Sequence, residues 1–221
     1  AGRPRLAFDH VQIAVPDLMA AAADLRRRSG LVAVAGGRHP GRGTANMIVP
    51  LGNSYLELIA VVDAAEAAVA PTSTRVANAV AEGRRFAVWV ARTDDLDAAR
   101  NDLVEAGWAL PPIAPGARVR PDGRRLEWRM QELVADAAPS PLPFLIEWKL
   151  EADLYPGAVP AGHPGRAASF RRIRLTAAEP EAAAMRLRVL LGDDLDWTLE
   201  PGPAGVSEIE LEHQRGPIRL A

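Results

Sequence analysis

The sequence predicts an α+β protein built from tandem βαβββ modules, and three observations predict it. The stretch Phe8 to Leu18 places Val11, Ile13 and Val15 in alternation with His10, Gln12 and Ala14. That period of two marks a strand with one apolar and one polar face. The order strand, helix, strand, strand, strand then runs over residues 6–62 and recurs over 84–150. Finally, the two copies share landmarks. Laying the helix starts Asp17-Leu18 and Asp95-Leu96 over each other puts Phe8 on Phe86 and His10 on Val88. Laying the closing strands over each other puts Glu57 of YLELIA on Glu147 of FLIEWK.

In order along the chain, Pro16-Asp17 stops the first strand and opens a helix over residues 17–29. Asp17 caps it, an Ala run favours it, and three arginines sit at the negative end of its dipole. Gly30 closes it. Leu31 to Ala35 reads as a short strand, followed by a glycine-rich loop over residues 36–43 that lacks the phosphate-loop pattern. Thr44 to Pro50 and Tyr55 to Val62 are strands joined by a Leu-Gly-Asn-Ser turn. Glu57, the only charge in the second of them, lies opposite the face of Leu56 and Leu58.

Residues 63–82 read as a helical connector interrupted by Pro71. The second copy follows: a strand over 85–92, a helix over 94–106, a strand over 108–113, a proline- and glycine-rich irregular segment, then strands over 125–134 and 142–150. Residues 1–150 thus form a paired domain, with module one at 6–62 and module two at 84–150. Residues 151–168 read as a linker or flap. Residues 169–221 read as a shorter, partial third βαββ module that covers a sheet edge or pairs subunits.

Composition narrows the function classes. Of 221 residues, 48% are hydrophobic and 24% charged, and the net charge is -2. That is ordinary for a globular protein and points to no nucleic-acid partner. The Arg-Arg pairs are scattered and form no nucleic-acid footprint. There is no cysteine, so thiolate metal sites and Cys nucleophiles are excluded. No signal peptide and no apolar run of membrane-spanning length is visible, so no membrane partner and a cytoplasmic setting are expected.

The tandem βαβββ order, opening on Asp-His-Val and closing on Leu-Glu-Leu, resembles the vicinal oxygen chelate superfamily of glyoxalases, bleomycin-resistance proteins and extradiol dioxygenases. Residues 36–46 and 143–148 look like its glyoxalase-like branch. The resemblance implies that the two modules pair into a curled mixed sheet, a half-open barrel with helices outside. Its concave face would bind a divalent metal and a small molecule with adjacent oxygens. Carried over residue by residue, it makes His10, Glu57 and Glu147 metal ligands, with either glutamate doubling as a catalytic base. Val88 stands where a fourth ligand is expected.

One imidazole and two carboxylates suit Zn, Fe, Mn or Ni on ligand type alone. Gln12 shares the face of His10 and would line the same cavity. His39 and Arg42, in the glycine loop, read as substrate contacts at the barrel mouth or as polar surface residues; His39 is also a candidate substitute ligand. Thr44 and Asn46 follow at alternate positions and would point inward. Trp128 reads as cavity wall or as core, and His163 as part of a cover or as a surface residue. Two functions follow. The first is a metal-dependent lyase, isomerase or dioxygenase acting on a small molecule. The alternative is a metal-free binding or resistance protein on the same fold, which the apolar Val88 favours. A homodimer is compatible with either.

Overall fold

Strands pair side by side through their backbone groups and bury their apolar faces against a second layer, and here they do so in two sheets. The computed structural model describes residues 6–134, 136–163, 168–191 and 195–221. Module one consists of β1 (Ala7–Ala14), α1 (Leu18–Ser29), β2 (Val34–His39), β3 (Thr44–Pro50) and β4 (Tyr55–Val61). The connector is two helices, α2 (Ala64–Ala68) and α3 (Pro71–Ala81), parted where Pro71 starts the second. Module two consists of β5 (Phe86–Arg92), α4 (Leu96–Glu105), β6 (Ala114–Val119), β7 (Arg125–Gln131) and β8 (Phe144–Trp148). Asp17 and Asp95 cap α1 and α4 in the same way, each accepting a backbone N–H three residues on at 2.9 Å.

The strand order is β1-β4-β3-β2-β6-β7-β8-β5, closed into a barrel. Each module supplies four strands in the same internal order, and antiparallel pairing of β1 with β5 makes one junction. The resemblance implies a half-open barrel, but β2 and β6 close the other junction. That closure is slight: the one ladder pair is Arg38 with Val119. Gly37 makes it feasible, since a Cβ there would lie 2.0 Å from the Val119 carbonyl oxygen, and its φ of +145° disfavours any other residue. The described residues include no helix long and apolar enough to cross a membrane.

Two expected strands shift. The first half of the glycine loop is itself strand: β2 begins at Val34 rather than Leu31 and runs through Gly36 and Gly37 to His39. Trp108 to Ile113 is not strand. Pro111 and Pro112 lack ladder N–H groups, and the Pro111 carbonyl is taken by Arg100 Nη1 at 2.6 Å and Gln131 Nε2 at 2.9 Å. The strand lies just beyond, as β6, inside the segment that reads as irregular. Gly116 admits it, because a Cβ there would lie 2.2 Å from Trp128 Nε1 on the paired β7.

The alternation of β1 divides inside from outside. Val11 and Ile13 face outward into the main core with Leu56, Leu58, Trp89 and Leu145. His10 and Gln12 face the barrel interior. α3 packs on β1, β4 and β5, burying Val76 and Ala79 with Ala14 and Ile59.

The second sheet has strand order β10-β9-β11-β12, from β9 (Ser169–Ala177), β10 (Trp197–Pro201), β11 (Gly205–Glu212) and β12 (Ile218–Leu220), with α5 (Pro180–Leu191) after β9. It repeats the element order of the modules but not their strand order: β9 pairs with β10 in parallel and with β11 antiparallel. Gly192, which follows α5 in the sequence and would stop it, lies outside the described residues. The sheet shares the main core with the barrel, and Phe170 stacks on Phe8 with ring centroids 3.8 Å apart.

Candidate active site

Pairing of adjacent strands assembles the polar half of the barrel interior. In the parallel β1–β4 pair, Gln12 lies opposite Glu57 and His10 opposite Tyr55. In the antiparallel β2–β3 pair, His39 lies opposite Thr44. Four neighbouring strands therefore bring His10, Gln12, His39, Thr44, Asn46 and Glu57 to one cavity. Module two supplies the facing wall, which is largely apolar: Trp128, Met130, Phe144 and Ile146 line it and pack in one cluster with Val88. Module one brings most of the polar groups, and module two brings the walls and Arg118.

Glu57 is the centre of the polar half. Gln12 Nε2 donates to its Oε2 at 2.9 Å and Asn46 Nδ2 donates to its Oε1 at 2.5 Å. His10 Nε2 lies 3.4 Å from Oε2, and His39 Nε2 lies 3.7 Å from Oε1. The two imidazoles thus take different oxygens of one carboxylate. Their other ring nitrogens are occupied: His10 Nδ1 lies 2.6 Å from Asp9 Oδ1, and His39 Nδ1 lies 2.9 Å from Thr44 Oγ1. Asn46 Nδ2 also lies 3.3 Å from His39 Nε2. An N–H there makes Nε2 the acceptor, so the ring carries its hydrogen on Nδ1, toward Thr44.

Asp9 and His10 are adjacent in a strand, where side chains ordinarily point to opposite faces. A bulge between Phe8 and His10 leaves Asp9 without a β5 partner and turns it to the same side as His10. Asp9 is fully buried and accepts hydrogen bonds from Trp148 Nε1 and the Tyr155 hydroxyl, both at 3.1 Å. His10 also stacks on Tyr55, with centroids 4.4 Å apart.

These surroundings polarise the two imidazoles in opposite senses. Burial alone would lower the pKa of His10, but hydrogen bonds and charge from Asp9 and Glu57 outweigh it and raise it to about 9. His39 is lowered to about 4, by burial first and then by Arg118, Arg42 and His10, with only Glu57 opposing. Burial would raise Glu57, but His10, His39 and Asn46 hold it down at about 2. At neutral pH the cluster is imidazolium, carboxylate and neutral imidazole.

Two arginines complete the lining. Arg42 donates from Nη2 to the Pro115 carbonyl at 3.0 Å and to Met130 Sδ at 3.3 Å, and from Nη1 to Thr72 Oγ1 at 3.2 Å. Arg118, on β6, is 4% exposed and reaches across the β2–β6 junction to donate to the Gly36 carbonyl. Burial lowers the pKa of both. The space left is about 40 Å³, room for a few waters.

Of the sequence-predicted site residues, His10, Gln12, His39, Arg42, Thr44, Asn46 and Glu57 converge here. Glu147 does not. On β8 it is Phe144, Ile146 and Trp148 that line the cavity, so period two turns Glu147 outward. There it pairs with Arg129 at 3.2 Å and with Lys149, and Arg129 continues to Asp97 at 2.7 Å. Trp128 is both cavity wall and core. His163 is tied to module one, accepting from the Val32 N–H at 3.0 Å, with its Nε2 2.8 Å from the Pro50 carbonyl oxygen. Sequence reasoning missed Asp9, Arg118 and Tyr155. Asp9 is hidden by the bulge. Arg118 is hidden by the proline-rich context of β6. Only the aromatic character of Tyr155, between glycines and prolines, signals that its segment docks.

The side chains themselves test whether the implied divalent cation belongs here. Val88 and Ile146 present hydrocarbon where module two would offer donors, and Glu147 faces away. The two imidazoles lie on opposite oxygens of Glu57, each already hydrogen-bonded to an amide. Among the described residues, no three His, Asp or Glu side chains gather to hold a metal. As placed, the residues do not fit the family's metal site.

A tandem βαβββ barrel with a polar interior defines a protein of the vicinal oxygen chelate fold. Residues 8–191 match the family described as Glyoxalase-like domain, and the chain belongs to that family. A search of curated proteins returns no match. Among solved structures, a hypothetical protein from Staphylococcus aureus shares 16% identity at a TM-score of 0.71, covering 98% of this chain and 99% of that one. A methylmalonyl-CoA epimerase from Mycobacterium tuberculosis shares 20% identity at a TM-score of 0.46, covering 66% of this chain and 89% of that one. A hypothetical protein from Bacillus halodurans shares 16% identity at a TM-score of 0.49, covering 66% of this chain and 97% of that one.

Proposed function

We propose that this chain is an isomerase or lyase that moves a proton on a small molecule bearing adjacent oxygens, bound inside the barrel. One observation carries the reading: two imidazoles flank one buried carboxylate, His10 at 3.4 Å and His39 at 3.7 Å, in a cavity that also holds two arginines. Paired titratable groups whose surroundings drive them apart are the mark of an acid and a base. His39, neutral with its lone pair on Nε2, is the base. It takes a proton from carbon beside a carbonyl, and the electron pair of the broken C–H bond moves to the carbonyl oxygen. His10, the imidazolium, faces the negative charge that develops and returns a proton to the product. Glu57, held by Gln12 and Asn46, orients both rings. Asp9 positions His10 through Nδ1, as a third group positions the base in other acid–base sites.

The test is solvent deuterium incorporation, followed by proton NMR, into a panel of 2-hydroxy and 2-oxo carbonyl compounds. Exchange above the protein-free rate that falls at least about a hundredfold in His39→Asn is expected. Exchange absent across the panel, or unchanged in His39→Asn, would overturn the reading. In that case ligand binding without exchange would favour the metal-free binding protein.

The rival reading is a metal-dependent lyase or dioxygenase using zinc, iron, manganese or nickel, for which His10, His39 and Glu57 would have to rearrange, since as placed they do not gather around a cation. In its favour, both rings turn Nε2 to Glu57 and have Nδ1 tied elsewhere, a common arrangement around metals. Metal analysis of protein purified without added metal separates the two. A stoichiometric metal lost in both His10→Ala and Glu57→Ala supports the rival.

A further inference from the structure

A second hollow, far larger than the barrel interior, lies on the outside of the barrel. It is an open groove of about 1180 Å³ between the barrel wall and the end of the second sheet. One side is the end of β1, from Ile13 to Pro16, with α1 and the turn at Gly83 to Arg85 that leads into β5. The other side is residues 215–221, which contain β12. Ile13 points away from His10 and Gln12, so the barrel wall separates this groove from the Glu57 cluster.

The floor is hydrocarbon and the rim is basic. Val80 and Ile218 are half-buried where they line the groove, and Pro16 and Pro217 are exposed. Five arginines line it too, Arg28, Arg84, Arg85, Arg215 and Arg219, against one acid, Asp24. Three of the five already have a carboxylate. Arg28 meets Asp24 at 2.9 Å, Arg84 meets Glu82 at 2.6 Å and Arg219 meets Glu210 at 3.1 Å. Asp24 is shared with Arg27, and Glu210 with Arg171. No ion pair among the described residues engages Arg85 or Arg215, and both are exposed. In a chain of net charge -2, the groove is thus a local surplus of positive charge.

Apolar surface beside uncompensated positive charge is complementary to a ligand that carries a hydrocarbon part and an anionic part. We propose that the groove binds a single-chain amphiphile with a carboxylate head, of the build of a fatty acid. The alkyl chain lies along Pro16, Val80 and Ile218, and the guanidinium surplus at the rim holds the carboxylate, with Arg85 and Arg215 as its uncommitted members. An elongated ligand suits the volume, which exceeds the roughly 300–1,000 Å³ of a compact small-molecule pocket. Two uncommitted arginines suit one acid group rather than the phosphate ladder of a nucleic acid. The site is separate from the proton-transfer centre and does not depend on the proposed function.

Calorimetric titration of the full chain tests this with decanoate, decanol, decyl phosphate, decyltrimethylammonium and acetate, all below micelle-forming concentrations. Decanoate is expected to bind saturably, one per chain, at least about fivefold more tightly than decanol and more tightly than the other three. Its affinity should fall as sodium chloride is raised. Arg85→Gln combined with Arg215→Gln should weaken decanoate at least about fivefold and leave decanol unchanged. Ile218→Ser, which takes apolar surface from the floor, should weaken both. His39→Asn and Arg42→Met alter only the barrel interior and should leave decanoate affinity within about twofold. Circular dichroism and melting establish folding, and if Ile218→Ser fails to fold, the exposed arginine pair decides. No saturable binding, equal affinity for decanoate and decanol, or binding indifferent to the arginine pair overturns the proposal. So does decanoate affinity lost in His39→Asn, which would move the ligand into the barrel, and so does decyl phosphate binding more tightly than decanoate.

Discussion

Folding stability should pass through a maximum near pH 6.5, with each limb of the curve belonging to one imidazole of the Glu57 cluster. His10 gains partners on folding, and its pKa rises from 6.5 to about 9. Its contribution is complete below pH 6.5 and is lost as pH rises through 9. His39 behaves in the opposite sense. Its pKa falls from 6.5 to about 4, so between those values the unfolded chain holds a proton that the folded one lacks. Stability therefore falls as pH drops from 6.5 toward 4. Glu57, held at about 2 from an ordinary 4.5, adds a loss only below pH 4.5. It is the same ion pair seen from the other end, so its shift is not added to that of His10.

At about 1.4 kcal/mol per pH unit, each imidazole limb amounts to about 3 kcal/mol across its window. The assay is urea unfolding followed by circular dichroism at half-unit steps from pH 4.5 to 9.5, on wild type, His39→Asn and His10→Asn. Other groups titrate too, so the informative quantity is the difference between curves. Between pH 6.5 and 5, the wild type should lose about 2 kcal/mol relative to His39→Asn. Above pH 6.5 the same comparison with His10→Asn should open by a similar amount. Parallel curves on both limbs would refute the reasoning.

Gly116→Ala places a Cβ 2.2 Å from Trp128 Nε1 and should cost about 1–3 kcal/mol in urea unfolding. Tyr155→Phe removes a donor from buried Asp9 and should cost about 1–3 kcal/mol, while the pKa of His10, followed by NMR titration, rises further because the carboxylate is less shared. Glu147→Gln should cost about 1–3 kcal/mol, since the carboxylate is buried between Arg129 and Lys149, and leave ligand affinity unchanged, since it lies outside the cavity. A tenfold loss of binding in that variant would return Glu147 to the site.

Period-two reading was enough to find His10, Gln12 and Glu57, because β1 and β4 are regular and each has one face that cannot be core. The same rule applied to module two misled at Glu147. Matching its closing strand to that of module one by the position of the acid, rather than by the apolar run, slipped the register by one residue and reversed the face. Phe144, Ile146 and Trp148 were the readable clue, since three large side chains at alternate positions need an interior. Asp9 could not be read from alternation, because the bulge that aims it depends on how β5 pairs with β1. Arg118 was obscured by its neighbours: prolines and glycines at 111–123 predict turns, and only the fit of Gly116 against Trp128 makes that stretch a strand. Tyr155 reaches the site through a fold of the 151–163 segment, set by contacts between Gly157 and Gly52 and between His163 and Val32 that no local pattern encodes.

The single ladder pair between β2 and β6 has a kinetic meaning. Every other junction of the barrel is held by three or more such pairs. Local opening follows the route that breaks the fewest bonds, so thermal breathing concentrates at Arg38 and Val119. The cavity leaves about 40 Å³ in this state, and parting of that slit would enlarge it for a ligand of the proposed kind. Its two jambs carry His39 and Arg118, so the proposed base and a guanidinium of the cavity lining part and rejoin together. Under the proposed function, ligand association should then be limited by opening rather than by diffusion. Amide exchange should accordingly be faster at Arg38 and Val119 than at the paired residues of any other junction of the barrel.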